Sequence, residues 1–153
     1  MNIHRIHADI ATAQFLNSPI GNPNNDEYIY DTAAYHIQQA IEKSIKYFLH
    51  DVYEVDDTSK RFRTHNLSDL ILQLSLKDSS FIPNHQDLID MVSEISDWEA
   101  GSRYNEDIVS TRTSISKALL IAEKLFSEVM EKEQELSQQY PVDYCDDIDF
   151  DDR

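Results

Sequence analysis

Residues 33–49 carry the clearest hydrophobic pattern in the chain. Ala33, Ile37, Ala40, Ile41, Ser44, Ile45, Phe48 and Val52 recur at three- and four-residue steps, the spacing of one face of an α-helix. The stripe predicts a helix capped by Asn25 or Asp26 and running to about Val52, with this face against other helices. Gln38, Gln39, Glu42, Lys43 and Lys46 fall off the stripe. Glu42 precedes Lys46 by four residues, the better orientation for an exposed pair, which contributes about 0.3 kcal/mol. That energy leaves the glutamine pair unexplained.

The same periodicity predicts four further helices. A first one covers about 7–16, with Ile6, Ile10 and Ala13 on one side. Residues 17–25, with Pro19, Gly21 and Pro23, cannot propagate a helix and form a linker. Residues 56–63 are polar and charged and are expected to be a loop, after which Thr64, His65 and Asn66 offer capping chemistry before Leu67, Leu70, Ile71 and Leu74. Phe81, Ile82 and Pro83 interrupt, and Asn84 is the expected cap of a helix carrying Leu88, Met91, Val92, Ile95 and Trp98, stopped by Gly101. The last helix should begin near Glu106 or Asp107 and place Ile108, Thr111, Ile115, Ala118, Ala122, Leu125, Phe126 and Val129 on one face, with nearly all-polar turns over 131–139.

Composition supports an all-α chain, because two glycines and four prolines in 153 residues are too few for the turns of a β fold. This length fits one core that buries roughly two thirds of the unfolded surface. Cys145 is the single cysteine, so neither an intramolecular disulfide nor a cysteine zinc site is available, which suits a reducing, cytoplasmic setting. No run approaches the ~18 apolar residues of a membrane span, and residues 1–16 lack a signal-peptide pattern.

The formal net charge of -16 disfavours direct nucleic-acid binding, which depends on Lys and Arg neutralising phosphates. Six aspartates, at 143, 146, 147, 149, 151 and 152, face Arg153 alone in the tail. So little apolar surface predicts a disordered tail. Its aspartates invite a calcium reading, but the central glycine and terminal glutamate of an EF-hand loop are missing, and no metal or cofactor is expected. Tyr144, Ile148 and Phe150 alternate with the acids, a pattern able to dock on a basic groove. The chain thus divides into an extension and linker (1–25), a helical bundle (26–139) and the acidic tail (140–153).

Four motifs occur in order: Ala33 followed by Gln38, Gln39, Ala40, Glu42, Lys43 and Lys46; then His65, Asn66 and Leu67; then Arg103 and Tyr104; then Ala118 followed by Ile121, Ala122 and Glu123. Over about 33–129 the chain resembles the HEPN domain, the nucleotide-binding domain of higher eukaryotes and prokaryotes. Asn105 stands where that family commonly has a proline after Arg-Tyr. The resemblance implies a four-helix up-and-down bundle in which two long antiparallel helices bracket two shorter ones, here with an extra N-terminal helix, and a homodimer.

The family includes RNA-cleaving toxins, nucleotide-binding partners of minimal nucleotidyltransferases and interaction domains, so membership alone fixes no activity. The nuclease branch places an Arg and a His on the last helix, four to six residues between them. Arg112 is there, but the last histidine of the chain is His85. Arg61 and His65 have only three residues between them and precede a short helix. The expectation is therefore a noncatalytic homodimeric binding or regulatory module beside a nucleotidyltransferase or another protein.

The alternative is a nucleotide-binding protein in which Arg103 and Tyr104, at the turn into the last helix, hold a phosphate with help from Lys43, Lys46 and His65. Each has a plainer reading. Arg103 could pair with Glu42 or a loop carbonyl, Tyr104 could pack on Trp98, the lysines could be solvated, and His65 could be a cap. His36 and His50 are expected at the surface, and Gln38 and Gln39 could meet their symmetry mates in a dimer. A toxin-type ribonuclease would have to use His65 as its base. No glycine-rich phosphate loop is present.

Overall fold

The stripe on the 33–52 segment forms the central helix of the molecule. A computed structural model describes residues 3–99 and 111–139, and among them the chain is all-helical without strands. The helices are α1 (Ile3–Leu16), α2 (Glu27–Tyr47), α3 (Lys60–Arg63), α4 (Leu67–Lys77), α5 (Phe81–Asn84), α6 (Gln86–Ser96) and α7 (Arg112–Gln139). No helix among the described residues is long and apolar enough to cross a membrane. The tail and the segment holding Gly101, Arg103, Tyr104 and Ile108 lie outside the described residues.

One core joins α1, α2, α4, α6 and α7. Ile6, Ile10 and Ala13 of α1 are buried against α2 and α7, so the N-terminal helix is part of this core. Because α2 has α1, α4 and α7 around it, more of its circumference is buried than one stripe: Ala34, Gln38, Glu42 and Tyr47 join Ala33, Ile37, Ala40, Ile41, Ser44 and Ile45.

Local chemistry sets the boundaries. Gly21 is required in the α1–α2 linker, since a Cβ there would lie 2.0 Å from the Phe15 carbonyl oxygen. Asn22 clamps Asp26 from both sides: its Oδ1 accepts from the Asp26 amide at 2.7 Å and its Nδ2 donates to the Asp26 carbonyl at 3.1 Å. Asp26 then caps α2 by accepting from the Tyr28 amide. Asn25, the other candidate, takes a left-handed φ of 53° and accepts the Tyr30 hydroxyl.

At its far end α2 opens into a π turn, Phe48–Val52, where the Tyr53 amide reaches back five residues to Phe48. Glu54, at φ 57°, follows that turn. The expected loop at 56–63 contains the one-turn α3, because Ser59 caps it and Phe62 is buried. Asn66, rather than Thr64 or His65, caps α4. Asn84 lies within α5 and His85 occupies the position before α6. Thr111 accepts from the Ser114 amide at the start of the described α7; the expected starts, Glu106 and Asp107, lie outside the described residues.

The long helices correct one expectation. Gln14 of α1 and Asn17 just past its end bond Glu123 and Ser116 of α7, while Asp9 bonds His36 and Lys43 of α2. Helix α1 therefore runs against both long helices, and these run in the same sense, with Tyr47 near the end of α2 bonding Glu133 near the end of α7. The alternation of directions comes from α1 and from α6, since His85 just before α6 bonds Glu128 on the later part of α7.

Candidate functional site

Two ion-paired clusters form on opposite chemistry of the same helix. Glu42, with Gln38 one turn before and Lys46 one turn after, makes a row at four-residue steps along α2. Burial by the neighbouring helices leaves the Glu42 side chain only 5% exposed and that of Lys46 12%. The pair expected at the surface is thus nearly enclosed. Lys46 Nζ lies 3.1 Å and His65 Nδ1 3.0 Å from the same Glu42 oxygen, Oε2. Gln38 donates to Oε1 at 3.1 Å, and Gln39 donates to Gln38 at 2.7 Å. The glutamine pair is explained: it solvates a buried carboxylate, and Gln38 is fully buried rather than available to a symmetry mate. Lys46 also stands 5.5 Å over the Phe62 ring, a cation–π contact.

His65 is presented differently. Its side chain is 63% exposed, and Glu42 fixes Nδ1 as the nitrogen that carries a proton toward the interior. An imidazole oriented by a carboxylate is half of an acid–base device. Among the described residues no serine, cysteine or tyrosine hydroxyl or thiol hydrogen-bonds to the ring.

The second cluster turns toward α1. Asp9 Oδ1 receives His36 Nδ1 at 2.8 Å, and Oδ2 receives Lys43 Nζ at 2.5 Å. Burial of Asp9 opposes its charge, but the hydrogen bonds from His36 and Lys43 outweigh it and hold the carboxyl below its ordinary range. Lys43 therefore does not share the site of Lys46 and His65, as the expectation of a common positive potential required. His36, expected at the surface, is partly buried by this pairing. His50 likewise bonds the Val55 carbonyl.

A third cluster surrounds a histidine given no role by the sequence. His85 Nδ1 lies 2.7 Å from the Phe81 carbonyl and Nε2 2.6 Å from Glu128 Oε1. Both partners are acceptors, an arrangement fully satisfied by the doubly protonated ring. Burial opposes that charge, but the bonds to Glu128 and Phe81 prevail and raise the pKa. His85 adjoins a groove of about 550 Å³ between α6 and α7. Leu88, Met91, Leu120 and Ile121 give it apolar walls, and Lys117 and Lys124 stand among its charged lining. No group of three His, Cys, Asp or Glu among the described residues could hold a metal.

Of the residues singled out by sequence, the fold brings Lys46 and His65 together on Glu42 and sends Lys43 to Asp9. Arg103 and Tyr104 lie outside the described residues. Glu42 was readable as a partner of Lys46 in the 38/42/46 row, but its place at the centre of a buried cluster was not. Asp9–His36 and His85–Glu128 had no readable signal, since their partners lie far apart in sequence.

The family model of the HEPN domain matches residues 22–134, from the α1–α2 linker into the later part of α7. The chain belongs to the HEPN domain family. Neither a curated protein nor a solved structure gives a significant match. The first two HEPN-like motifs of the sequence acquire physical roles: Gln38, Gln39, Glu42 and Lys46 build the Glu42 cluster while Ala40 is core and Lys43 pairs with Asp9, and His-Asn-Leu supplies a carboxylate partner, a helix cap and a core leucine in turn. In the last HEPN motif, Ala118 and Ala122 are core and Glu123 bonds Gln14 of α1.

Proposed function

We propose that this HEPN protein is a noncatalytic homodimeric module that binds or regulates a partner protein, with a minimal nucleotidyltransferase as the partner class suggested by family resemblance. The observation that carries this reading is the internal pairing of Lys43, Lys46 and His65. Lys46 and His65 are engaged by Glu42, and Lys43 by Asp9. A phosphate taking the ammonium of Lys43 or Lys46 would compete with the carboxylate that now holds it. The sequence adds that Arg112 has no histidine after it. The apolar α6–α7 groove, with Leu120 67% exposed at its side, supplies a face that can meet its own copy about a two-fold axis.

Native mass spectrometry of the full chain purified gently from its own cells tests this reading. A dimer mass carrying a second protein is the expected result. A monomer carrying a nucleotide contradicts it. Purified protein is also expected to leave RNA uncut, and cleavage lost in His65→Ala would establish the ribonuclease instead.

A nucleotide-binding reading draws on one observation, the exposed His65 ring beside Lys46, with Arg103 and Tyr104 as the anion-holding pair. Thermal stabilisation by millimolar ATP or GTP that disappears in Arg103→Ala supports it, and no shift removes it.

A further inference from the structure

The strongest local departure from the acidity of this chain is a short basic face. Lys60, Arg61 and Arg63 place three of the thirteen Lys and Arg side chains within four residues. All three are exposed on α3, pushed outward because Phe62 between them is the residue α3 buries. None of them joins an ion pair among the described residues. Beside them lies a groove of about 330 Å³ lined by Lys60, Arg61, Thr64, Asp69, Leu72 and Gln73. Leu72 is 54% exposed there, and Leu76, one turn further along α4, is 73% exposed. The face therefore pairs cations with uncovered leucines.

We infer that the acidic C-terminal tail of the same chain docks on this α3–α4 face. Charge complementarity selects the occupant. The tail carries six aspartates interleaved with Tyr144, Ile148 and Phe150, so it presents acids to Lys60, Arg61 and Arg63 and apolar side chains to Leu72 and Leu76. The rest of a chain of net charge -16 repels it. Exposed charges alone are screened beyond about 8 Å at physiological salt, so the aromatic and aliphatic contacts give the complex its persistence.

Reach permits the contact within one chain. Tyr47 bonds Glu133 of α7, and three residues past Tyr47 the His50 ring lies 5.9 Å from that of Phe62. The end of α7 is thus near α3, since Glu133 to Gln139 adds only about 9 Å of helix. From Gln139 to Asp149 an extended chain spans about 34 Å.

Carbodiimide cross-linking of the full chain, read by peptide mass spectrometry, tests the docking by joining tail carboxylates to lysine amines. The expected product links residues 143–152 to Lys60 in preference to Lys117, Lys124 and Lys132. It should be lost in Arg61→Glu/Arg63→Glu, and equally in a second variant with Asp143, Asp146, Asp147 and Asp149 changed to Asn, which leaves the helical core untouched. Links spread evenly over the lysines, or links unchanged in either variant, overturn the proposal. So do links that join isotopically heavy to light chains in a mixture, which would place the tail on a neighbour. An RNA oligonucleotide that binds the full chain at about 0.15 M salt and is released by Arg61→Glu/Arg63→Glu would assign the face to nucleic acid and also overturn it.

Discussion

Glu42 has three polar side-chain partners, Gln38, Lys46 and His65. A carboxylate this enclosed survives because Lys46, His65 and Gln38 supply donors to both of its oxygens. Removing it in Glu42→Ala strands the Gln38 amide and the nearly buried Lys46, and should lower unfolding free energy in urea by roughly 3 kcal/mol. Gln39→Ala removes only the outer bond and should cost less than about 1 kcal/mol. Equal losses in the two variants would mean that the cluster is not organised around Glu42. The four-residue row was legible in the sequence. Its burial was not, because periodicity reports one face of α2 and says nothing of three neighbours around it.

Two other buried groups set the pH response. His85 has a raised folded pKa, so its contribution is fully present below its unfolded value of about 6.5 and is lost as pH rises through the higher folded value. Asp9 has a lowered pKa, so its contribution is present above its unfolded value, about 3.9, and is lost as pH falls through the folded value. Subtracting the stability profile of His85→Gln from that of the parent isolates the first effect. The difference should shrink above pH ~6.5. A difference that grows with pH would contradict the cationic ring. The parent-minus-Asp9→Asn difference should be present at neutral pH and shrink only as pH falls below ~3.9.

Among the elements, α4 separates capping from ion pairing in adjacent residues. Asn66 accepts the Asp69 amide, whereas His65 bonds Glu42. Thus Asn66→Ala should lower the melting stability by about 1 kcal/mol while Asn66→Asp retains it. A Thr64→Ala loss of the same size would move the cap. The core positions of α2, α4 and α7 were readable because their apolar residues repeat at helical spacing over several turns. The π turn at Phe48–Val52 and the one-turn α3 were not. Both are closed by tertiary packing of Leu49 and Phe62, and four or five residues are too short to show a period. The shared direction of α2 and α7 was also unreadable, since it follows from which helices pair and not from the spacing within either.

For the whole molecule, the decisive features are an internal polar network, a helical core and surfaces left apolar. The network takes up the Lys and His groups that a phosphate site at α2 would need, while Leu120 and the α6–α7 groove remain uncovered. Burial of such a face against its own copy is favourable by about 25 cal/mol per Å² of apolar surface before the cost of association is subtracted. Leu120→Asp places a charge in that contact without touching the core. Sedimentation velocity of the full chain at micromolar concentration, parent beside Leu120→Asp, tests the homodimeric module most directly. The account predicts a dimer for the parent and a folded monomer for the variant; a parent that sediments as a monomer contradicts it.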